Sequence, residues 1–230
     1  MQDDSEVTAG FMWQKTTRES KKYQLRGEIL SFIPVEKNVE VMLVTITNTG
    51  RMAQTVTPTA AIPLYGRSAD NIRDHRHVTS LLHRIETTDT GVLVTPTLSF
   101  DERGHQVNHM TYYCVGWSGN GEKPVDFYPT AEDFVGEGGN FERPYAIVKK
   151  AEGVKAGTRI EGLEAVGGLH FSEVTLEPEE ECSYLIFTGI TEDIQEIRNL
   201  SKTYTTREMV LEELEKTKAY WQEKVNVAYH

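Results

Sequence analysis

The densest reactive stretch of the chain runs Tyr65-Gly66-Arg67-Ser68-Ala69-Asp70-Asn71-Ile72-Arg73-Asp74-His75-Arg76-His77 and closes at Leu81-Leu82-His83-Arg84. Arg67, Arg73, Arg76 and Arg84 each offer a rigid fork of N–H donors, and the Asp and His side chains add adjustable donors and acceptors. Such a set binds sugar hydroxyls, carboxylates or phosphate. The same residues would instead pin a loop if the arginines paired with neighbouring acids. His75-Arg76-His77 puts two imidazoles on one side of an extended segment, where His83, Asp70 or Asp74 would complete a zinc or iron set. Two histidines one residue apart are a weak signal for that, and neither a metal nor another cofactor is expected. His105 and His109, beside Gly104, read as surface residues.

A second group places Asp126 and Asp133 among Trp117, Phe127, Tyr128, Phe134 and Phe141. Aromatic faces with carboxylates suit a sugar, which stacks its C–H face and hydrogen-bonds its hydroxyls. Taken one by one, these aromatics read better as core residues beneath a loop. Motifs for covalent catalysis are missing. There is no Gly-x-Ser-x-Gly elbow and no cysteine in a basic setting. Gly136-Glu137-Gly138-Gly139 is glycine-rich, but Glu137 repels phosphate and no Lys-Ser/Thr pair follows. No catalytic residue is therefore assigned.

The 230 residues carry a formal net charge of −11 and are 38% hydrophobic. That length supports one large core. The acidity disfavours nucleic acid and anionic membrane surfaces as partners. No apolar run reaches the roughly 18 residues that span a bilayer. The acidic start Met1-Gln2-Asp3-Asp4 has no secretory pattern. Cys114 and Cys182 are too few and too distant for a disulfide framework and read as reduced. A cytoplasmic location is the resulting expectation.

The elements that must hold these residues are mainly strands. Leu25 to Pro34 and Val39 to Asn48 are rich in Val, Ile, Leu and Thr, with Glu36-Lys37-Asn38 as a turn. Val39, Val41 and Leu43 share one face. Met52 to Ala60, Gly91 to Phe100 and Met110 to Trp117 follow as strands. His170 to Leu176 and Ser183 to Ile190 read as a hairpin about the polar joint containing Pro178. Short strands with polar turns predict a mainly β fold, a large antiparallel β-sandwich. Tyr65 to Arg84, Trp117 to Pro129 and Gly136 to Pro144 read as long loops, a length usually reserved for a site or an interface. After Thr191 the period becomes helical through Ile194, Ile197 and Leu200. Thr205-Thr206-Arg207-Glu208 has capping-box form. Val210, Leu214, Trp221 and Val225 make an apolar face, which packs on the sandwich or on a partner outside the chain.

Several of these segments resemble a known family. Phe32-Ile33-Pro34, Val39-Glu40-Val41 and Thr45-Ile46-Thr47-Asn48-Thr49 are similar to the N-terminal domain of cellobiose and cellodextrin phosphorylases, glycoside hydrolase family ninety-four, formerly the glycosyltransferase thirty-six family. Tyr65 to Asn71 with Asp74-His75-Arg76-His77 resembles the longer β-oligoglucan members. Asp133-Phe134-Val135-Gly136 with Pro144, Glu164-Ala165-Val166, and the stretch from Gly189 to Tyr220-Trp221 resemble the rest of that domain. The resemblance runs from about Tyr23 to Trp221.

It implies a supersandwich of the galactose-mutarotase-like type over residues 1–190. Residues 191–230 would be linker helices leading to a catalytic (α/α)6 barrel beyond this chain. The implied parent reaction is inverting phosphorolysis of a β-glucoside to glucose 1-phosphate, with β-gluco-oligosaccharide and phosphate as partners. The chain itself would be non-catalytic, would form part of a homodimer, and would offer an acceptor-side loop. His75 and Arg76 resemble the polar-Arg pair of that loop, with Arg73, Asp74, Tyr65 and Arg67 beside them. Smaller members carry Gln where this chain has His75. Two other readings of the same residues are a free-standing carbohydrate-binding module, and an epimerase or lyase using His75 or His77 as base.

Overall fold

The computed structural model describes residues 4–66, 76–101 and 104–225. Its principal sheet has nine antiparallel strands, in the spatial order β1 (Asp4–Gly10), β2 (Trp13–Ser20), β3 (Leu25–Phe32), β4 (Val39–Asn48), β16 (Glu181–Thr191), β11 (Thr111–Ser118), β8 (Gly91–Pro96), β7 (His83–Thr87) and β13 (Arg159–Glu161). A second layer holds β12 (Asp126–Thr130), β14 (Ala165–His170) and β6 (Thr59–Leu64), with β15 (Val174–Leu176) paired to β5 (Gln54–Val56). β9 (Leu98–Asp101) and β10 (Gly104–Val107) form a small hairpin. The helices are α1 (Arg76–Ser80), α2 (Ala131–Val135), α3 (Tyr145–Lys149), α4 (Ile194–Thr203) and α5 (Arg207–Val225). Among the described residues no helix is long and apolar enough to cross a membrane.

The two-residue period of the strands sorts the core into two halves. On β11, Tyr113, Val115 and Trp117 point to the helical side, while Tyr112 and Cys114 point to the second sheet. β8 divides Leu93 from Val92 and Val94, and β16 divides Leu185 and Phe187 from Tyr184 and Ile186. The first set meets Ile197, Leu200, Tyr204, Val210 and Leu214 of the C-terminal helices. The second meets Leu64, Phe127, Ala165 and Leu169. The layers are therefore small sheets, large sheet and helices. A Cβ on Gly167 would lie 2.2 Å from Cys114 Cβ, so the two sheets touch there only because residue 167 has no side chain. Cys114 is buried, and burial raises its thiol to about 12, so it stays protonated. Cys182 is half-buried, and both cysteines are free.

β4 keeps the expected bounds, with Val39, Val41 and Leu43 buried on one face. Several other expectations change. The hairpin from His170 to Ile190 does not form. β14 pairs with β12 and β6, β15 with β5, and β16 with β4 and β11. The polar joint is a turn, in which Glu180 N donates to Glu177 O, but its two arms belong to different sheets. The segment Trp117 to Pro129 is not one loop, since its end is the buried strand β12. Met52 to Ala60 is interrupted around Pro58, whose missing N–H divides β5 from β6. The β1–β2 hairpin has no apolar alternation to announce it, and every residue of β1 is exposed.

The C-terminal helices dock on the sandwich through one joint. α4 starts at Asp193, whose carboxylate accepts from Gln195 N at 2.8 Å. α5 is capped by Thr206, one residue later than the capping-box reading, with Met209 N donating to its hydroxyl at 3.4 Å. Glu208 bonds to its own backbone and to the Thr206 hydroxyl, which holds its carboxyl below the ordinary value. Between the helices sits Tyr204, 1% exposed. Its ring stacks on Phe187 at 5.4 Å, its carbonyl accepts the Trp117 indole N–H at 3.0 Å, and its hydroxyl accepts from Lys37 Nζ at 2.8 Å. The apolar stripe of α5 packs on the sandwich through Val210 and Leu214, whereas Trp221 is half-buried and Val225 exposed.

Candidate functional site

Of the residues expected to bind substrate, Arg67, Arg73, Asp74 and His75 lie outside the described residues. Arg76 is the first residue of α1, with its side chain outside the description. Tyr65 is described, and it is 50% exposed just past β6. Arg84 is committed to local pairing. Its Nε lies 3.3 Å from Glu161 Oε1, and its guanidinium donates to the His83 carbonyl at 3.0 Å. That is the pinning role weighed for these arginines, realised at one of them. Among the described residues no group of three or more His, Cys, Asp or Glu could hold a metal.

The carboxylate–aromatic group converges only in part: Tyr128, Phe134 and Phe141 form a chain of ring contacts, and Tyr128 also meets His170. Trp117 lies on the helical side of the large sheet, and Phe127 lies between the sheets. Asp133 is used locally: it accepts from the Thr130 hydroxyl at 2.7 Å, and its N–H returns to Thr130 Oγ1 at 3.0 Å, capping α2. Asp126 pairs with His170 across β12 and β14 at 2.6 Å. Only Phe141 stays open, 48% exposed and packed on Phe134 at 5.8 Å.

What the fold does assemble is a small cavity beneath Tyr65. The end of β6 supplies Tyr65, the end of α1 supplies Thr79 and Ser80, the start of β7 supplies His83, and the approach to β14 supplies Glu164. Phe141 closes the rim from the connection after α2. The cavity measures about 30 Å³. β7 runs between β8 and β13, which turns His83 inward to 4% exposure. Its Nδ1 lies 3.1 Å from the Leu163 carbonyl oxygen. Burial pushes the His83 pKa down from its ordinary 6.5, against the opposing pull of the Leu163 and Gly66 backbones and the charge of Glu164. Nε2 is buried against the Gly66 backbone and makes no hydrogen bond of normal geometry. Sequence reasoning placed His83 at the end of the Arg/His/Asp stretch and among the metal candidates, and Phe141 in the carboxylate–aromatic group read either as sugar-facing or as core. Thr79 and Ser80 carried no chemical signal. The contact that orients His83 comes from 80 residues further along the chain.

An antiparallel sandwich of one broad sheet, smaller sheets on one face and helices on the other defines a β-supersandwich domain. The chain belongs to the glycosyl hydrolase 94 supersandwich domain family, whose model matches residues 1–207. Among solved structures it is similar to a polysaccharide lyase, at 13% identity and a TM-score of 0.42. That likeness covers 84% of this chain, and this chain spans 23% of the lyase. No curated protein matches the chain.

Proposed function

We propose that this chain is the non-catalytic N-terminal domain of an inverting glycoside phosphorylase acting on β-glucosides. Cellobiose, a cellodextrin or another β-oligoglucan would react with phosphate to give glucose 1-phosphate on a helical-barrel domain packed against this one. The domain supplies an acceptor-side loop, with His75 and Arg76 as its sugar contacts and Arg73, Asp74, Tyr65 and Arg67 around them. It also supplies a homodimer interface. The observation that carries this reading is the family match over residues 1–207, on a sandwich with helices docked to it. Support also comes from the chemistry of the described residues. The buried Cys114 thiol is raised to about 12, which removes it as a nucleophile.

Steady-state kinetics of the parent enzyme test the loop. Arg76→Ala should raise the acceptor KM or lower kcat by about ten- to a hundredfold, the loss expected for a fork donor on a sugar hydroxyl. Wild-type constants for every β-glucan acceptor would remove Arg76 from the site. The chain alone should release no sugar phosphate from any of these substrates.

A further inference from the structure

The helical side of the large sheet carries a groove of about 270 Å³ between the turn before β4 and α4. Val39, Leu200 and Tyr204 form its floor, with Glu36 on the wall made by the turn and Glu196 on the wall made by α4. Tyr113 of β11 reaches the same groove and is 4% exposed. Its hydroxyl lies over Gly189, where a Cβ would come within 2.4 Å, so the absent side chain makes room for it. The hydroxyl makes no hydrogen bond among the described residues. Burial first, and the Glu196 charge second, push the Tyr113 pKa up to about 12, so the oxygen is a neutral phenol that can still accept.

The charges around this hydroxyl are unbalanced. Lys37 also lines the groove, but its ammonium is held by the Tyr204 hydroxyl at 2.8 Å and lies 3.5 Å from Glu213. Glu36 and Glu196 form no ion pair among the described residues, and Glu196 accepts from the Thr191 hydroxyl at 2.5 Å. Both walls repel an anion. A primary ammonium has three N–H donors, and the Glu196 carboxylate, the Tyr113 oxygen and an asparagine amide oxygen from Asn38 or Asn199 are acceptors for them. Glu36 on the other wall calls for a second positive group. Val39 and Leu200 between the walls suit methylenes. The volume is ample for a short chain, since a water takes roughly 30 Å³ in the liquid.

We propose that this groove binds a short aliphatic diamine, with one ammonium between Glu196 and the Tyr113 hydroxyl, the other at Glu36, and the methylenes along Val39 and Leu200. The groove lies on the helical face of the large sheet, whereas the residues assigned to the acceptor loop follow β6 in the second layer. The proposal does not depend on the sugar chemistry of the parent enzyme.

The test is a two-dimensional amide NMR titration of this chain, at low ionic strength, with putrescine and with butanediol, its uncharged counterpart. Putrescine should produce saturable shifts at Asn38, Val39, Glu196 and Asn199 in the millimolar range, as befits a small ligand held at a surface groove. Butanediol should bind at least about tenfold more weakly, because its hydroxyls bring no charge to the carboxylates. Glu196→Gln should weaken putrescine by about tenfold. Tyr113→Phe removes a hydroxyl that the fold does not bond, so it should leave thermal unfolding unchanged while weakening putrescine by about fivefold. Equal binding of the diol, shifts that spread over the acidic surface without saturating, or a putrescine titration unaltered by Tyr113→Phe would each overturn the proposal. Nα-acetyllysine amide binding as tightly as putrescine would overturn it too, since Glu36 would then have no role and the groove would be one for a partner's lysine.

Discussion

Tyr204 and His83 are both polar rings sunk into the sandwich, 1% and 4% exposed, and their surroundings are opposite in kind. At Tyr204 the chain closes every polar contact itself. Trp117 serves the carbonyl, Lys37 serves the hydroxyl, and Phe187 covers the ring. Lys37 in turn lies 3.5 Å from Glu213 of α5, so one ammonium ties the turn before β4 to both the inter-helix joint and the last helix. At His83 one nitrogen meets the Leu163 carbonyl at 3.1 Å, and the other lies against the Gly66 backbone without a hydrogen bond of normal geometry. A ring whose carbonyl, hydroxyl and face all have partners is a fastening, whereas at His83 one nitrogen is left without a hydrogen bond of normal geometry.

The difference is broken most forcefully at the fastening. Tyr204→Ala removes a fully buried aromatic from between α4 and the large sheet, and should cost about 3–5 kcal/mol. Lys37 and the Phe187 ring each lose one partner in the same step, keeping Glu213 and Trp117. Urea unfolding followed by tryptophan fluorescence would measure it, since Trp117 reports on the joint directly. A loss under about 1 kcal/mol would mean that the helices are not held at Tyr204.

The contrast between these regions also explains what could be read from sequence. The strands around Tyr204 were legible because period two writes itself into runs such as Val39, Val41 and Leu43, and the helices because Ile197 and Leu200 keep a helical interval. Partner choice was not legible. Nothing in His170 to Ile190 says that β15 leaves for β5, because a strand's own alternation gives its faces and not its neighbour. The β1–β2 hairpin lacked even the alternation, since β1 buries nothing. The His83 cavity was invisible for a related reason. It draws one to three residues at a time from the end of β6, α1, β7, the start of α2, the connection after it and the start of β14, and only the strand order brings them together. The arginine cluster stood out by composition, yet at Arg84 that composition is spent on Glu161.

Acid should sharpen the comparison, with a smaller effect than loss of Tyr204. The folded-state pKa of His83 lies below its ordinary 6.5, so the unfolded chain binds the proton more readily. Stability from this group is then fully present above 6.5 and is lost as pH falls through 6.5 toward the folded value. His83→Gln has no such titration. The difference between wild-type and His83→Gln unfolding free energies, measured from neutral to mildly acidic pH, should shrink as pH falls. A difference independent of pH would show that the His83 ring is not held neutral by its burial.

The smallest expected effect on the fold carries the most information about the open region. Phe141 packs on Phe134 at 5.8 Å but leaves 48% of its surface to solvent, so the fold uses only part of the ring. Phe141→Ala should therefore change unfolding free energy by no more than about 0.5–1 kcal/mol, the value of one aromatic pair on a wet surface. Thermal unfolding of the variant checks this, beside Tyr204→Ala on the same scale. A loss near that of Tyr204→Ala would make Phe141 a fastening too, and its exposed face would need no ligand to explain it. A near-neutral fold would set Phe141 apart from the fastenings of the sandwich. The ring would then be kept for what it meets outside the sandwich, just as Tyr204 is kept for what it meets within.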